Sequence, residues 1–238
     1  MCNPVVIPKP SIMQVNSITF KRLIQILRKM CTKKTPIIPI AIKDSKISQN
    51  IYSDKVFVEI NLPYADTNPI SVNFILAREK LKELSDLGDS DVRIEVNDGV
   101  VSFINDHRSV ELDHCQPELL PVPNLTKEMA LGVGVTVKPP RELKKYLGKS
   151  KVVHFLVYND QLEAIKTLDK AAYLFTSANR PLLNKQPDRL FSTTFFPVLL
   201  DGKGVEINLY QRGPETWVVC SHSDKFDFHV KTYMLVEE

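Results

Sequence analysis

His107, His114 and Cys115 are the side chains best suited by type to hold a metal ion, and Cys220 with His222 the pair best suited to nucleophilic attack. The first three match no common metal-ligand spacing, and a strand edge followed by a turn accounts for them. Cys220 and His222 stand two apart in a predicted strand and so share one face. No acid is placed to orient that imidazole, however, and no oxyanion-binding loop accompanies it. Asp89, Asp91, Asp98 and Asp106 flank predicted strands as turn residues do. Glycine is scarce, eight in 238 residues, and neither GVG at Gly132–Gly134 nor GKG at Gly202–Gly204 completes a nucleotide-cradling motif. The cysteines Cys2, Cys31, Cys115 and Cys220 include no CxxC pair, so they set up neither a disulfide framework nor a zinc signature. Catalysis, a cofactor and a metal are all unexpected. Trp217, the single tryptophan, is expected to pack at a strand start rather than stack on a base.

The chemistry that remains is charge. The net charge is +3, yet residues 1–50 hold nine Lys or Arg against the single acid Asp44, a balance of +8 that leaves −5 on the rest. A local field of one sign on a mildly acidic body attracts polyanions without wrapping them over the whole surface. Much of this charge falls in SITFKRLIQILRKM, which starts at Ser17 as the expected N-cap. Phe20, Leu23, Ile24, Leu27, Met30 and Cys31 recur at helical spacing on one face, with Ile26 at its edge. Lys21, Arg22, Gln25, Arg28, Lys29 and Thr32 fall opposite, with no acid in the helix to pair them. Such a helix lies on a membrane surface or packs on a sheet and shows its charge outward. The apolar pattern continues into TPIIPIAIK, which favours the sheet.

The elements that must carry this helix are mostly strands. With 43% apolar and 25% charged residues the chain has globular composition. It is expected to be soluble, to carry neither a membrane span nor a leader, and to work in a reducing compartment. KVFVEINL, ISVNFIL, VRIEV, VVSFI and SVELDH alternate with period two, and the NDG at Asn97–Gly99 signals a hairpin. AREKLKELSDLG (Ala77–Gly88) interrupts them as a second helix. A connector, QPELLPVPNL (Gln116–Leu125), carries three prolines that no central strand or helix accepts. It lies at mid-chain, and an internal repeat spans it. DVRIEV (Asp91–Val96) lies over GVEINL (Gly204–Leu209) at an offset of 113. Val100–Ser102 lies over Val218–Cys220 at 118, the offset at which Asp106, Val110 and Leu112 meet Asp224, Phe228 and Val230. The helix REKLKELSDL corresponds to STTFFPVLL. KPPRELKKYLGK is a further short helix, with VVHFLVY and AAYLFTSA as strands after it.

The order of these elements resembles the DNA sliding clamps, the processivity factors of replicative polymerases. SITFKRLIQILRKM with TPIIPIAIK looks like the opening helix and following strand of a bacterial-type clamp domain. FILAREKLKELSDLGDSDVRIEVNDGVVSFINDHRSVEL and PELLPVPNL are similar to its second helix, closing meander and linker. The resemblance covers Ser17 to Leu125 and resumes from about Phe191 to Leu235. It implies an α+β fold of two repeated clamp domains, 1–125 and 126–238, with antiparallel sheets outside and helices lining one face. Six such domains close a ring, so two per chain imply a homotrimer around double-stranded DNA. The partners implied are that duplex, bound without sequence specificity, a DNA polymerase and a clamp loader.

By the same resemblance, Lys21, Arg22, Arg28 and Lys29 contact DNA, joined by Lys33 and Lys34, by Arg78 and Lys82 on the second helix, and by Arg141, Lys144, Lys145 and Lys149 on the third. The fourth helix, STTFFPVLL, has no basic residue. A partner-peptide pocket is implied at Leu119, Leu120, Val122 and Leu125 with Met234, Leu235 and Val236. The location implied is the cytoplasm, at the nucleoid or in an infected host cell. Two other readings compete: a monomeric clamp-fold polymerase accessory protein, and a β-rich scaffold that binds no nucleic acid.

Overall fold

The computed structural model describes residues 11–33, 35–43, 46–51, 55–62, 71–97, 99–113, 122–132, 134–138, 140–148, 152–175, 185–194 and 202–237. Two compact units result, Met1–Ile47 with Leu62–Leu119, and Ser48–Asn61 with Leu120–Glu238. The first half of the chain runs β1 (Ser11–Val15), α1 (Ser17–Met30), β2 (Ile37–Lys43), β3 (Lys46–Ile51), β4 (Val56–Asn61), β5 (Ser71–Ala77), α2 (Lys80–Ser85), β6 (Val92–Asn97), β7 (Val100–Ile104) and β8 (Ser109–Asp113). The second half runs β9 (Val135–Val137), α3 (Pro140–Leu147), β10 (Val152–Tyr158), β11 (Gln161–Thr167), β12 (Lys170–Leu174), β13 (Arg189–Thr194), β14 (Gly202–Arg212), β15 (Glu215–Asp224) and β16 (His229–Val236).

In the first unit β1-β6-β7-β8 form an antiparallel sheet, and β2 pairs with β5 from Ile37↔Ala77 to Lys43↔Ser71. In the second, β9-β14-β15-β16 and the antiparallel pair β10-β13 repeat those orders, with β11 and β12 following β10. β4 pairs with β16 from His229↔Asn61 to Met234↔Val56, which groups Ser48–Asn61 with the second unit. The structure is thus mostly antiparallel sheet with few helices, two rounds of one topology. Turns follow their residues: Asn159 and Asp160, at φ 48° and 57°, close β10 on β11, and Gly99 at φ 84° serves the expected β6–β7 hairpin.

α1 packs on the sheet of its unit. Its cap is Asn16, whose Oδ1 accepts from the Thr19 amide at 2.8 Å, one residue before the expected Ser17. Phe20, Leu23, Ile24, Ile26, Leu27 and Met30 are all buried, each worth about 1.5–3 kcal/mol of transfer from water. Phe20 meets Phe103 of β7 at 6.2 Å between ring centroids, and Phe103 meets Phe74 of β5 edge-on at 6.0 Å. Phe103 therefore joins helix, meander and the β2–β5 pair. Phe103→Ala is expected to cost about 3–5 kcal/mol in urea denaturation. A loss below about 1 kcal/mol would contradict this packing.

The structure corrects three local expectations. α2 is a short helix: the Arg78 amide donates to the Pro36 carbonyl at 2.8 Å and extends the β2–β5 ladder, so Ala77 ends a strand and Arg78 lies in the turn before the helix. Ser192–Thr194, expected to open a fourth helix, end β13 instead, in register with β10 at His154↔Ser192 and Val153↔Thr193. The rest of that expected helix lies outside the described residues. The repeat offset also changes along the meander. Val96 pairs with Val101 where Leu209 pairs with Val218, so the second strand is offset by 117, not 118. Since Phe103 pairs with Val110 and Cys220 with Thr232, the third is offset by 122. Side chains alternate faces, so the one-residue difference in the second strand decides that Val101 matches buried Val218.

Candidate nucleic-acid interface

The cationic face of α1 is determined by what its other face buries. With the apolar stripe held under the helix, Lys21, Gln25 and Arg28 are exposed and Arg22 and Lys29 half-buried. The two ends of the stripe differ. Toward the N-terminus, Lys21 pairs with Asp89 at 3.3 Å, its stem lying against Gly88, where an added Cβ would come within 2.9 Å of Lys21 Cγ. Asp91 accepts from the Ser17 amide at 2.9 Å, a carboxylate at the positive end of the helix dipole. Arg22 donates to Gln25 at 2.9 Å.

Toward the C-terminus the acids give way to a cavity of about 460 Å³ lined by Arg28, Lys33, Arg78 and Lys82 with Cys31, Thr32 and Leu81. Four cations and no carboxylate line it among the described residues. Cys31 closes the helix as its C-cap, its thiol directed to the Pro36 carbonyl at 3.3 Å. Burial raises that thiol's pKa, with nearby Glu79 adding and Arg78 opposing, so it stays a neutral floor beneath the charges. Residues from α1, from the loop after it, from the turn after β5 and from α2 therefore converge, although no two of the four cations are neighbours in sequence. A cavity walled by guanidinium and ammonium groups suits phosphate oxygens, which Arg takes in bidentate fashion and Lys as a point charge.

In the second unit α3 exposes Arg141, Lys144 and Lys145. Its C-terminal carbonyls are capped from β12: Lys170 donates to the Lys145 carbonyl at 3.2 Å and to that of Tyr146, with its ammonium 5.3 Å from the Tyr146 ring centroid. Lys34 and Lys149 lie outside the described residues.

The residues expected to form a partner pocket divide between two faces of one sheet. Phe57, Trp217, Val219 and Tyr233 form an apolar cluster against which Val122, Leu125, Tyr210 and Leu235 pack. Met234 and Val236 are buried on the opposite face, because successive strand residues alternate. That corrects their assignment to the pocket. Leu119 and Leu120 lie outside the described residues. Sequence reading missed Phe57 and Tyr233; the two-residue period through Trp217 and Val219 was the available signal.

The groups considered for catalysis have structural surroundings. His107 lies exposed in the β7–β8 turn, its amide donating to Asn105 Oδ1 at 2.9 Å. His114, Cys115 and Asp98 lie outside the described residues. Burial holds the Cys220 thiol far above its ordinary range, and His222 donates from Nδ1 to the Gly204 carbonyl at 2.9 Å. No group of three or more His, Cys, Asp or Glu among the described residues is arranged to hold a metal. No helix among them is long and apolar enough to cross a membrane.

No protein-family model matches the chain, and no curated protein matches it either. Solved structures do. The DNA polymerase sliding clamp of Bacillus subtilis is similar at 14% identity and a TM-score of 0.62, over 95% of this chain and 64% of that one. The A. fulgidus PCNA, solved with the C-terminal region of FEN-1 bound, is similar at 8% identity and 0.59, over 95% of this chain and 98% of that one. The PCNA2–PCNA3 complex of Sulfolobus tokodaii gives 12% identity and 0.59, over 95% and 99%. The chain has the fold of the DNA sliding clamps, and it spans 64% of the length of the Bacillus clamp.

Proposed function

We propose that this chain is a DNA sliding clamp, a polymerase processivity factor that encircles duplex DNA, tethers replication proteins and performs no catalysis. The observation that carries the reading is the four-cation cavity of Arg28, Lys33, Arg78 and Lys82 at the end of the exposed stripe of α1, in a chain of clamp fold. Lys21, Arg22 and Lys29 extend that contact in the first domain, 1–125, with Lys34 beside them in sequence. Arg141, Lys144, Lys145 and Lys149 supply it in the second, 126–238. Phosphate attraction of this kind carries no base readout, so the duplex is held without sequence preference and is free to slide.

Closure as a homotrimer is supported by length and by open edges. The chain matches PCNA chains over nearly their whole length, so three copies bring six domains. Among the described residues β8 and β12 end their sheets. β4 and β12 hold the same rank in the two halves, as do β16 and β8, and β4 pairs with β16. The equivalent pairing joins β8 of one copy to β12 of the next and covers two exposed edges. The partner polymerase and loader engage the apolar cluster under Val122, Leu125 and Leu235. On this reading the protein works in the cytoplasm, at the nucleoid or in the cytoplasm of an infected host cell. Retention on circular against linear duplex is the test of encirclement.

A further inference from the structure

On the face of the second unit's sheet opposite its core lies a polar groove of about 470 Å³. It is lined across β9, β14, β15 and β16 by Thr136, Glu206, Asn208, Ser221, Ser223 and His229, with Lys231 within it and Lys138 from the residue after β9. The alternate residues Val205, Ile207 and Leu209 are buried beneath, with α3 packed against β14. Two exposed ammonium groups, an exposed imidazole and several hydroxyl donors thus gather in one groove. Of the acids, Glu206 accepts from Asn208 at 2.8 Å, and Glu59 faces Lys231 across the β4–β16 register. His229 shares a 2.6 Å hydrogen bond with Ser223. Lys138 is built into place: its stem crosses Gly204, where an added Cβ would lie 2.7 Å from Lys138 Cγ. Tyr210 lines the groove and also packs on the cluster of Phe57, Trp217, Val219 and Tyr233, so the polar and apolar surfaces are continuous.

We propose that this groove binds an acidic stretch of a partner polypeptide, its carboxylates meeting Lys138 and Lys231 and the adjoining apolar residues seating on the cluster beside Tyr210. The inference rests on the reading of the chain as a tether for replication proteins. The ammonium groups of Lys138 and Lys231, flanked by hydroxyl groups free to turn as donors, suit carboxylates. The groove opens on the sheet face away from α3, so an acidic segment there does not compete with duplex held by α3. Complementary charge of this kind selects among partners more than it tightens any one of them.

The test uses three synthetic peptides, each a Leu-Phe anchor followed by four Glu, four Gln or four Lys, titrated against the full chain. The Glu peptide is expected to bind roughly five- to tenfold more tightly than the Gln peptide, as two exposed ion pairs allow, and the Lys peptide least. Lys138→Glu with Lys231→Glu should abolish the preference, and Lys138→Gln with Lys231→Gln should do so without reversing charge, both at an unchanged melting temperature. Equal binding of the Glu and Gln peptides, no binding by any of them, or a preference that survives both double variants would overturn the proposal. Duplex affinity of the double variants, expected to be unchanged, separates the two claims. If duplex binding proves independent of the α1 stripe, the clamp reading fails, whereas a missing Glu preference with intact stripe-dependent binding removes only the groove.

Discussion

Replacing Lys21, Arg22, Arg28 and Lys29 together by Glu is expected to weaken duplex binding by on the order of a hundredfold or more at moderate salt. It should also make the dependence of log K on log salt shallower by about 0.9 for each phosphate that is no longer neutralised. The four side chains lie on the exposed or half-exposed edge of α1, away from Phe20, Leu23, Ile24 and Leu27. The Lys21–Asp89 pair is solvent-exposed on both sides, at 53% and 92%, and such pairs contribute little to stability. Fold and affinity should therefore separate: the melting temperature stays within a few degrees while binding collapses. Arg78→Ala with Lys82→Ala, which opens the cavity wall without touching α1, should reproduce part of the loss. Unchanged duplex affinity in the fourfold variant would favour the scaffold reading.

A second large effect concerns assembly. The Leu235 amide donates to the Lys55 carbonyl at 2.9 Å, and Tyr233 pairs with Phe57. The offset of 122 carries Leu235 to Asp113 and Tyr233 to Glu111, while setting Lys55, the residue before β4, over Lys170, the first of β12, carries Phe57 to Ala172 and keeps both on the face away from the helices. Between copies, Glu111 should thus stand opposite Ala172, Val110 opposite Tyr173 and Asp113 opposite Lys170. The faces agree, since Val110 and Leu112 point inward on β8 and Tyr173 packs on Tyr146 at 5.2 Å on the α3 side of β12. Glu111→Cys with Ala172→Cys, in a background with Cys2 and Cys115 changed to Ser, should oxidise to a covalent species of three times the 27.1 kDa chain mass. Glu111→Cys with Leu174→Cys, displaced by two residues along the strand, should crosslink far less, because diagonal pairs stand about 7–8 Å apart. A monomer under all oxidising conditions would contradict the ring and favour a monomeric accessory protein.

What the sequence disclosed follows the range of each interaction. α1 was legible because a buried stripe and a charged stripe at 3.6-residue spacing admit one arrangement, and the β6–β7–β8 meander because its alternation and NDG turn are local. The length of α2 was not, since the Arg78 amide is claimed by Pro36, 42 residues away in the chain. Arg28, Lys33, Arg78 and Lys82 were each legible as cations, but their convergence on one cavity depends on the β2–β5 register. The division of Leu235 from Met234 and Val236 was available from strand period alone, yet proximity to the chain's end grouped them. Ser192–Thr194 read as a helix start because the STT that caps helices also suits a strand, and pairing with β10 decided the outcome.

Encirclement is the central claim, and the crosslinked ring tests it without a loader. Chains bearing Glu111→Cys and Ala172→Cys are mixed with nicked circular duplex under reducing conditions, oxidised to close the ring, and washed at about 1 M salt, where screening removes purely electrostatic binders. The account predicts that closed trimers remain on the circle through the wash and are released when a single restriction cut linearises it. Equal retention before and after the cut, or complete loss from the intact circle despite closed trimers, would contradict a ring around DNA.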